Sequence, residues 1–137
     1  MTVFLLDACA VIAYFKEEPG EDVVVNYLKQ AANGQVELYI HAATVYEVYY
    51  QYLRDVSYGR AREVWQELTQ LPVSILYTFD EPFLKQAADF KSRYRMSVAD
   101  SFLLAQAHAL DASVITSDHH ELDAVEQAGL CRFTWMR

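Results

Sequence analysis

Val3-Phe4-Leu5-Leu6-Asp7-Ala8-Cys9-Ala10-Val11-Ile12-Ala13 is the stretch that decides the fold. A short apolar run ends on an acid, and the acid opens an almost wholly apolar helix start. Such a run, followed at once by helical composition, reads as a buried strand of an α/β protein. Asp7 stands at the joint. In that company its carboxyl is expected to be partly buried, and an unpaired buried carboxylate is expensive, so a partner is implied.

Three more acids occupy similar joints. Glu47 follows Leu38-Tyr39-Ile40, inside Thr44-Val45-Tyr46-Glu47; Asp118 follows Ser113-Val114-Ile115-Thr116; Asp100 opens the apolar helix Phe102-Leu103-Leu104-Ala105. In an open parallel sheet the carboxyl ends of the strands share one edge, where ligands bind. Acids far apart in sequence therefore have a route to one point. Two carboxylates about 4 Å apart repel by about 4 kcal/mol at an effective dielectric of about 20. A divalent cation is the usual compensation.

The rest of the chain alternates in the same way. Strands are expected at roughly 2–7, 36–40, 73–76, 113–116 and 131–135. Helices are expected at roughly 9–15, 21–32, 44–55, 58–70, 80–94, 98–110 and 119–128, the second ending at Asn33-Gly34. This is an α/β pattern with a mainly parallel central sheet flanked by helices. No repeat or linker interrupts it, so residues 1–137 are read as one domain.

Composition agrees. A chain of 137 residues with 53% hydrophobic side chains can bury a core without disulfides. No apolar run approaches the ~18 residues of a membrane span, and the start lacks the basic region and cleavage site of a secretory leader. Cys9 and Cys131, far apart, suggest a reducing cytoplasm and buried thiols. The net charge of −8 argues against a broad nonspecific nucleic-acid surface, although not against a nuclease, and suits a basic protein partner.

Helix capping is the plain explanation of these acids. Thr44-x-x-Glu47 matches a capping box, and Ser97-x-x-Asp100 and Asp118-x-x-Glu121 approximate one. An acid in a first helical turn gains about 0.3–1 kcal/mol from the macrodipole. Asp7 is different, because it closes an apolar strand and its expected burial calls for a partner.

Taken together, these residues resemble the PIN-domain family and, within it, the small VapC-type ribonuclease toxins. Leu5-Leu6-Asp7-Ala8-Cys9-Ala10 is similar to the family's first acidic motif, and Phe15-Lys16-Glu17-Glu18-Pro19-Gly20 to the loop after it. Ala43-Thr44-Val45-Tyr46-Glu47 resembles the helix start bearing the family's glutamate. Ser97-Val98-Ala99-Asp100-Ser101-Phe102-Leu103-Leu104-Ala105-Gln106-Ala107 resembles the third and most specific motif, and Val114-Ile115-Thr116-Ser117-Asp118-His119-His120-Glu121-Leu122 the closing one. Each is short, but four in this order and spacing form a strong signal.

The resemblance implies Mg²⁺- or Mn²⁺-dependent endonucleolytic cleavage of RNA by a cytoplasmic toxin. Asp7, Glu47, Asp100 and Asp118 would form the acidic quartet, with Asp7, Asp100 and Asp118 on the metal. Thr116 would orient the site through its hydroxyl, with Glu121 in an outer position. A homodimer and a cognate antitoxin would be the protein partners. Cys9 departs from the Ser or Thr of many relatives.

Other features have smaller claims. Lys91-Ser92-Arg93-Tyr94-Arg95 is the densest basic run; Arg93 and Arg95 are candidates for RNA phosphates and Tyr94 for stacking on a base, against the alternative of a solvated helix end. His119-His120 reads as solvent-exposed, and His41 and His108 as structural. Tyr46, Tyr49, Tyr50, Tyr52 and Tyr58 exceed what one helix face can bury, which suggests core packing plus a protein interface. Trp65, Phe79 and Phe83 are expected in the core. The competing functional readings are a catalytically silent PIN module binding RNA or protein, which the intact quartet opposes, and an Asp7 phosphotransfer domain. Cys9 stands where a phosphatase of that type needs an acid.

Overall fold

Strand β1 (Thr2–Leu6) sends alternate side chains to two different cores. Phe4 and Leu6 join one cluster with Ala10, Val11 and Val24, while Leu5 joins another with Leu103, Ala107 and Val114. A strand buried on both faces explains the unbroken apolar run that opens the chain. The computed structural model describes residues 1–137, the side chains of His120 and Glu121 excepted.

The order continues α1 (Ala8–Lys16), α2 (Glu21–Ala32), β2 (Val36–His41), α3 (Ala42–Asp55), α4 (Tyr58–Gln70) and β3 (Ser74–Leu76). It closes with α5 (Glu81–Arg93), α6 (Val98–Leu110), β4 (Ser113–Thr116), α7 (His119–Gln127) and β5 (Arg132–Trp135). All strand pairs are parallel, in the order β3-β2-β1-β4-β5. From β1 the sheet grows one way through β2 and β3 and the other way through β4 and β5. The reversal falls between β1 and β4, where Leu6 pairs with Ile115. One more bond, from Asp7 N–H to the Ile115 carbonyl at 3.1 Å, carries the pairing to the edge.

Helix α6 is apolar on most sides because it lies between the sheet and α5; Leu103, Leu104, Ala105 and Ala107 are all buried. Helix α2 ends in a Schellman motif. Gln35 N–H reaches the Gln30 carbonyl, Gly34 N–H reaches that of Ala31, and Gly34 adopts φ +72°. No helix among the described residues is long and apolar enough to cross a membrane.

Two expectations about α3 and its neighbours are corrected. The helix starts two residues earlier than its sequence suggests, because His41 caps it: His41 Nδ1 accepts from Ala43 N–H at 3.0 Å. Thr44-x-x-Glu47 is therefore no capping box, and Glu47 lies in the second turn. Phe83 is buried as expected, but Phe79 is 45% and Trp65 38% exposed.

Gly20 precedes α2 with φ +97°, and a Cβ there would stand 2.9 Å from Met136 Cε and 3.0 Å from Met136 Cβ. Gly20→Ala is expected to destabilise the protein by about 1–3 kcal/mol, from the left-handed backbone and the displaced methionine together. A urea denaturation series checks this, and a neutral result would show that the C-terminal segment yields freely.

Candidate active site

The site begins with Asp7, placed by the last bond of β1 at the N-terminus of α1. Its Oδ1 accepts from Ala8 N–H at 2.7 Å, and its Oδ2 accepts from the Thr116 hydroxyl at 2.7 Å. The Cys9 thiol approaches the same Oδ2 at 3.4 Å. Asp7 is only 5% exposed. Burial pushes its carboxyl above the ordinary carboxylate range, and the Asp118 charge adds to this; the Thr116, Ala8 and Cys9 hydrogen bonds pull it back.

Thr116 is the last residue of β4, across the reversal point. Its Oγ1 donates to Asp7 and accepts from Asp118 N–H at 3.0 Å. One hydroxyl thus ties together two acids that follow neighbouring strands. The Cys9 sulfur also accepts from Ser117 N–H at 3.3 Å. Burial, reinforced by Asp7, pushes this thiol up to about 11, so it is a neutral donor at neutral pH. Both cysteines are half-buried rather than buried.

Asp100 is 6% exposed in the first turn of α6. Its backbone N–H donates to Ser97 Oγ at 3.1 Å, so half of the expected capping box is real. Glu47 and Asp118 are half-buried. These four acids line one cleft of about 440 Å³ at the carboxyl edge of the sheet, with Cys9, Lys16, Glu18, Gln51 and Ser97 also in its wall. Five carboxylates therefore face one lysine there among the described residues. A second hollow of about 560 Å³, near Asp111 and Arg132, contains none of the quartet.

Among the described residues, no three His, Cys, Asp or Glu side chains are close enough to enclose an ion directly. The donor set still suits a hard divalent cation. Its charged donors are carboxylate oxygens, with the buried Asp7 beside another acid, and Mg²⁺ keeps several waters while taking one or two carboxylates directly.

The other expected residues fall elsewhere. Arg93 ends α5 in a 2.7 Å salt bridge to Asp89, Tyr94 packs near Phe90 and Met96, and Arg95 is exposed; none of the three lines the cleft. Glu121 lies outside the described residues. His119 is exposed, stacked on Trp135 at 3.8 Å and bonded to Asp123. Lys16, Glu18 and Gln51 were not singled out as site residues from the sequence. Gln51 was within reach, because it follows Glu47 by four residues on one helix and so shares its face.

A doubly wound parallel sheet with a carboxylate-lined cleft at its reversal point defines the class: an α/β protein whose candidate site suits a hydrated divalent ion. The PIN domain family model matches residues 4–127, and the chain belongs to that family. Solved structures share the fold. The chain is similar to one in DNA-bound VapBC from Salmonella typhimurium (16% identity, 100% of both chains covered, TM-score 0.77). It is similar also to one in VapBC2 from Rickettsia felis bound to a promoter DNA fragment (12% identity, 98% of each chain, TM-score 0.76). FitAcB from Neisseria gonorrhoeae is a third (21% identity, 95% of each chain, TM-score 0.64). No curated protein sequence matches the chain.

Proposed function

We propose that this protein is a Mg²⁺- or Mn²⁺-dependent endoribonuclease and the toxin of a toxin–antitoxin pair. The observation that carries the reading is the meeting of Asp7, Glu47, Asp100 and Asp118 in one cleft, although Asp7 and its bridging Thr116 are 109 residues apart in the chain. The likeness to chains of VapBC complexes supports the antitoxin part.

In this reading Asp7, Asp100 and Asp118 would hold a hydrated ion, one or two of them directly and the rest through its waters. Such an ion would supply Lewis acidity to the phosphoryl and leaving oxygens and make the attacking water more acidic. Thr116 fixes the Asp7 carboxyl and the Asp118 backbone relative to each other. Glu47, on α3, would take the proton of the attacking water. Lys16 neutralises a phosphate oxygen, and the Gln51 amide donates to another. The antitoxin and a second copy of the chain are the proposed protein partners, and the bacterial cytoplasm is the proposed place of action. The exposed Tyr58 and Trp65 of α4 offer a surface for one of these partners. No observation favours a catalytically silent module.

Purified protein freed of any partner is expected to cleave structured RNA in Mg²⁺ or Mn²⁺ and to stop on addition of EDTA. Expressed alone it should arrest growth, and co-expression of the neighbouring gene should relieve the arrest. Cleavage that resists EDTA overturns the metal-dependent mechanism. Harmless expression with robust cleavage overturns only the toxin assignment.

A further inference from the structure

We propose that the solvent-facing edge of α3, formed by Tyr46, Tyr50 and Arg54, is the track on which single-stranded RNA lies as it enters the cleft, held mainly by base stacking. The inference rests on the ribonuclease reading and names how the substrate is gripped. Helix α3 forms one wall of the cleft through Glu47 and Gln51. At about 3.6 residues per turn, Tyr50 and Arg54 lie within roughly 60° of Glu47 around the helix, and Tyr46 is the next row out. An RNA strand whose phosphate reaches the acids must cross the surface beside them.

The tyrosines of this helix divide cleanly. Tyr52 is 3% exposed in the core, and Tyr49 is half-buried and meets Trp65 edge-on at 5.4 Å. Tyr46 and Tyr50 are 69% and 47% exposed. Their rings are nearly parallel, 11° apart with centroids 6.4 Å distant, at the outer end of the range for contacting rings. The Arg54 guanidinium lies 5.2 Å from the Tyr50 ring centroid. Positions 46, 50 and 54 thus make a row of flat groups beside the reaction site, the arrangement on which bases stack without regard to sequence.

Charge argues that stacking leads. The protein carries −8, and the cleft gathers five of its carboxylates against one lysine. Arg54 is itself engaged by both oxygens of Asp55, at 2.7 and 2.8 Å. Arg60, Arg93 and Arg132 are likewise in salt bridges. Phosphate neutralisation is therefore limited, whereas ring faces bind bases independently of net charge.

The test uses the full chain, with Ca²⁺ in place of Mg²⁺, and a fluorescein-labelled single-stranded RNA of mixed sequence read by anisotropy. Tyr46→Ala and Tyr50→Ala are each expected to weaken binding on the order of tenfold. Tyr50→Trp should restore it, and thermal midpoints should stay at the wild-type value. In Mg²⁺ assays KM should rise while kcat holds. The slope of log K against log salt should be no steeper than about −1.5, the value for roughly two phosphate contacts on a single strand. A slope near −4 or steeper, or alanine variants that bind as the wild type does, overturns the inference while leaving the ribonuclease reading intact. Loss of partner binding with RNA binding untouched would make the row a protein interface and overturn it equally. A wild type that neither binds nor cuts RNA overturns both readings together.

Discussion

Asp100→Asn is expected to lower metal-dependent RNA cleavage on the order of a thousandfold while the protein stays folded. A metal's stabilisation of developing charge amounts to several kcal/mol, and each ~1.4 kcal/mol is tenfold in rate. Folding should survive because the bond that caps α6 runs from the Asp100 backbone N–H to Ser97 Oγ, which the substitution leaves alone. The variant also separates a cap from a ligand. A first-turn carboxylate that served only the macrodipole would cost about 0.3–1 kcal/mol when neutralised. A carboxylate in a like-charged cleft should, without metal, be neutral or stabilising to remove. It should then forfeit most of the stabilisation that Mn²⁺ gives the wild type, since a ligand binding only the folded state raises its stability. Denaturation midpoints in EDTA and in excess Mn²⁺ decide the matter. A destabilised Asp100→Asn that keeps the full Mn²⁺ shift would mean that the residue is a cap.

His41→Ala is expected to cost about 3–5 kcal/mol, in the range of emptying a large buried ring position, and a sizeable part of a typical domain's stability. His41 is 0% exposed and lies among Phe79, Phe83 and Phe102, with centroids at 4.9, 5.1 and 6.0 Å. Its Nε2 faces the Thr78 carbonyl at 2.9 Å and must carry hydrogen; its Nδ1 accepts from Ala43 N–H and must be bare. The ring is therefore neutral. Protonation would set a second hydrogen against Ala43 N–H at the positive end of α3. Burial lowers the His41 pKa, and the Thr78 bond only partly opposes it. With a folded value below the unfolded ~6.5, the stabilisation is present above that pH. It is lost as pH falls from there through the folded value, because the unfolded chain takes the proton first. His41→Asn keeps a capping oxygen but cannot titrate, so its deficit against the wild type should narrow between pH 7.5 and pH 5. Urea titrations at the two pH values measure this; a deficit that stays constant would show that His41 does not titrate differently on folding.

Much of this architecture is legible in local pattern. Helices 21–32, 58–70 and 98–110 and strand 113–116 match their sequence expectations because apolar spacing and cap residues agree there. Part of the quartet's meeting was readable because Asp7 and Asp118 follow strand ends that parallel pairing brings to one edge, whereas Glu47 and Asp100 reach it from within α3 and α6. Strand order had no local signature, since β1 and β4 pair across most of the chain. The start of α3 was misread because histidine is not among the favoured N-cap residues, whereas Thr44 and Glu47 imitate a capping box. Trp65 and Phe79 were misassigned because large aromatics are core by default, and only tertiary packing shows which ones the helices leave uncovered. The basic run at Arg93–Arg95 adjoins Asp100 in sequence but not in the cleft, because Arg93 ends a different helix, where it pairs with Asp89.

The central position of β1 has a consequence in time. Thr116, which holds the Asp7 carboxyl, is synthesised 109 residues after it. At roughly 5–20 residues per second, the ribosome needs on the order of 5–20 s to cover that distance. Until then the middle of the sheet lacks a neighbour on one side, and the acid cleft lacks a wall. A chain that stops before β4 therefore lacks the hydroxyl that holds the Asp7 carboxyl in place.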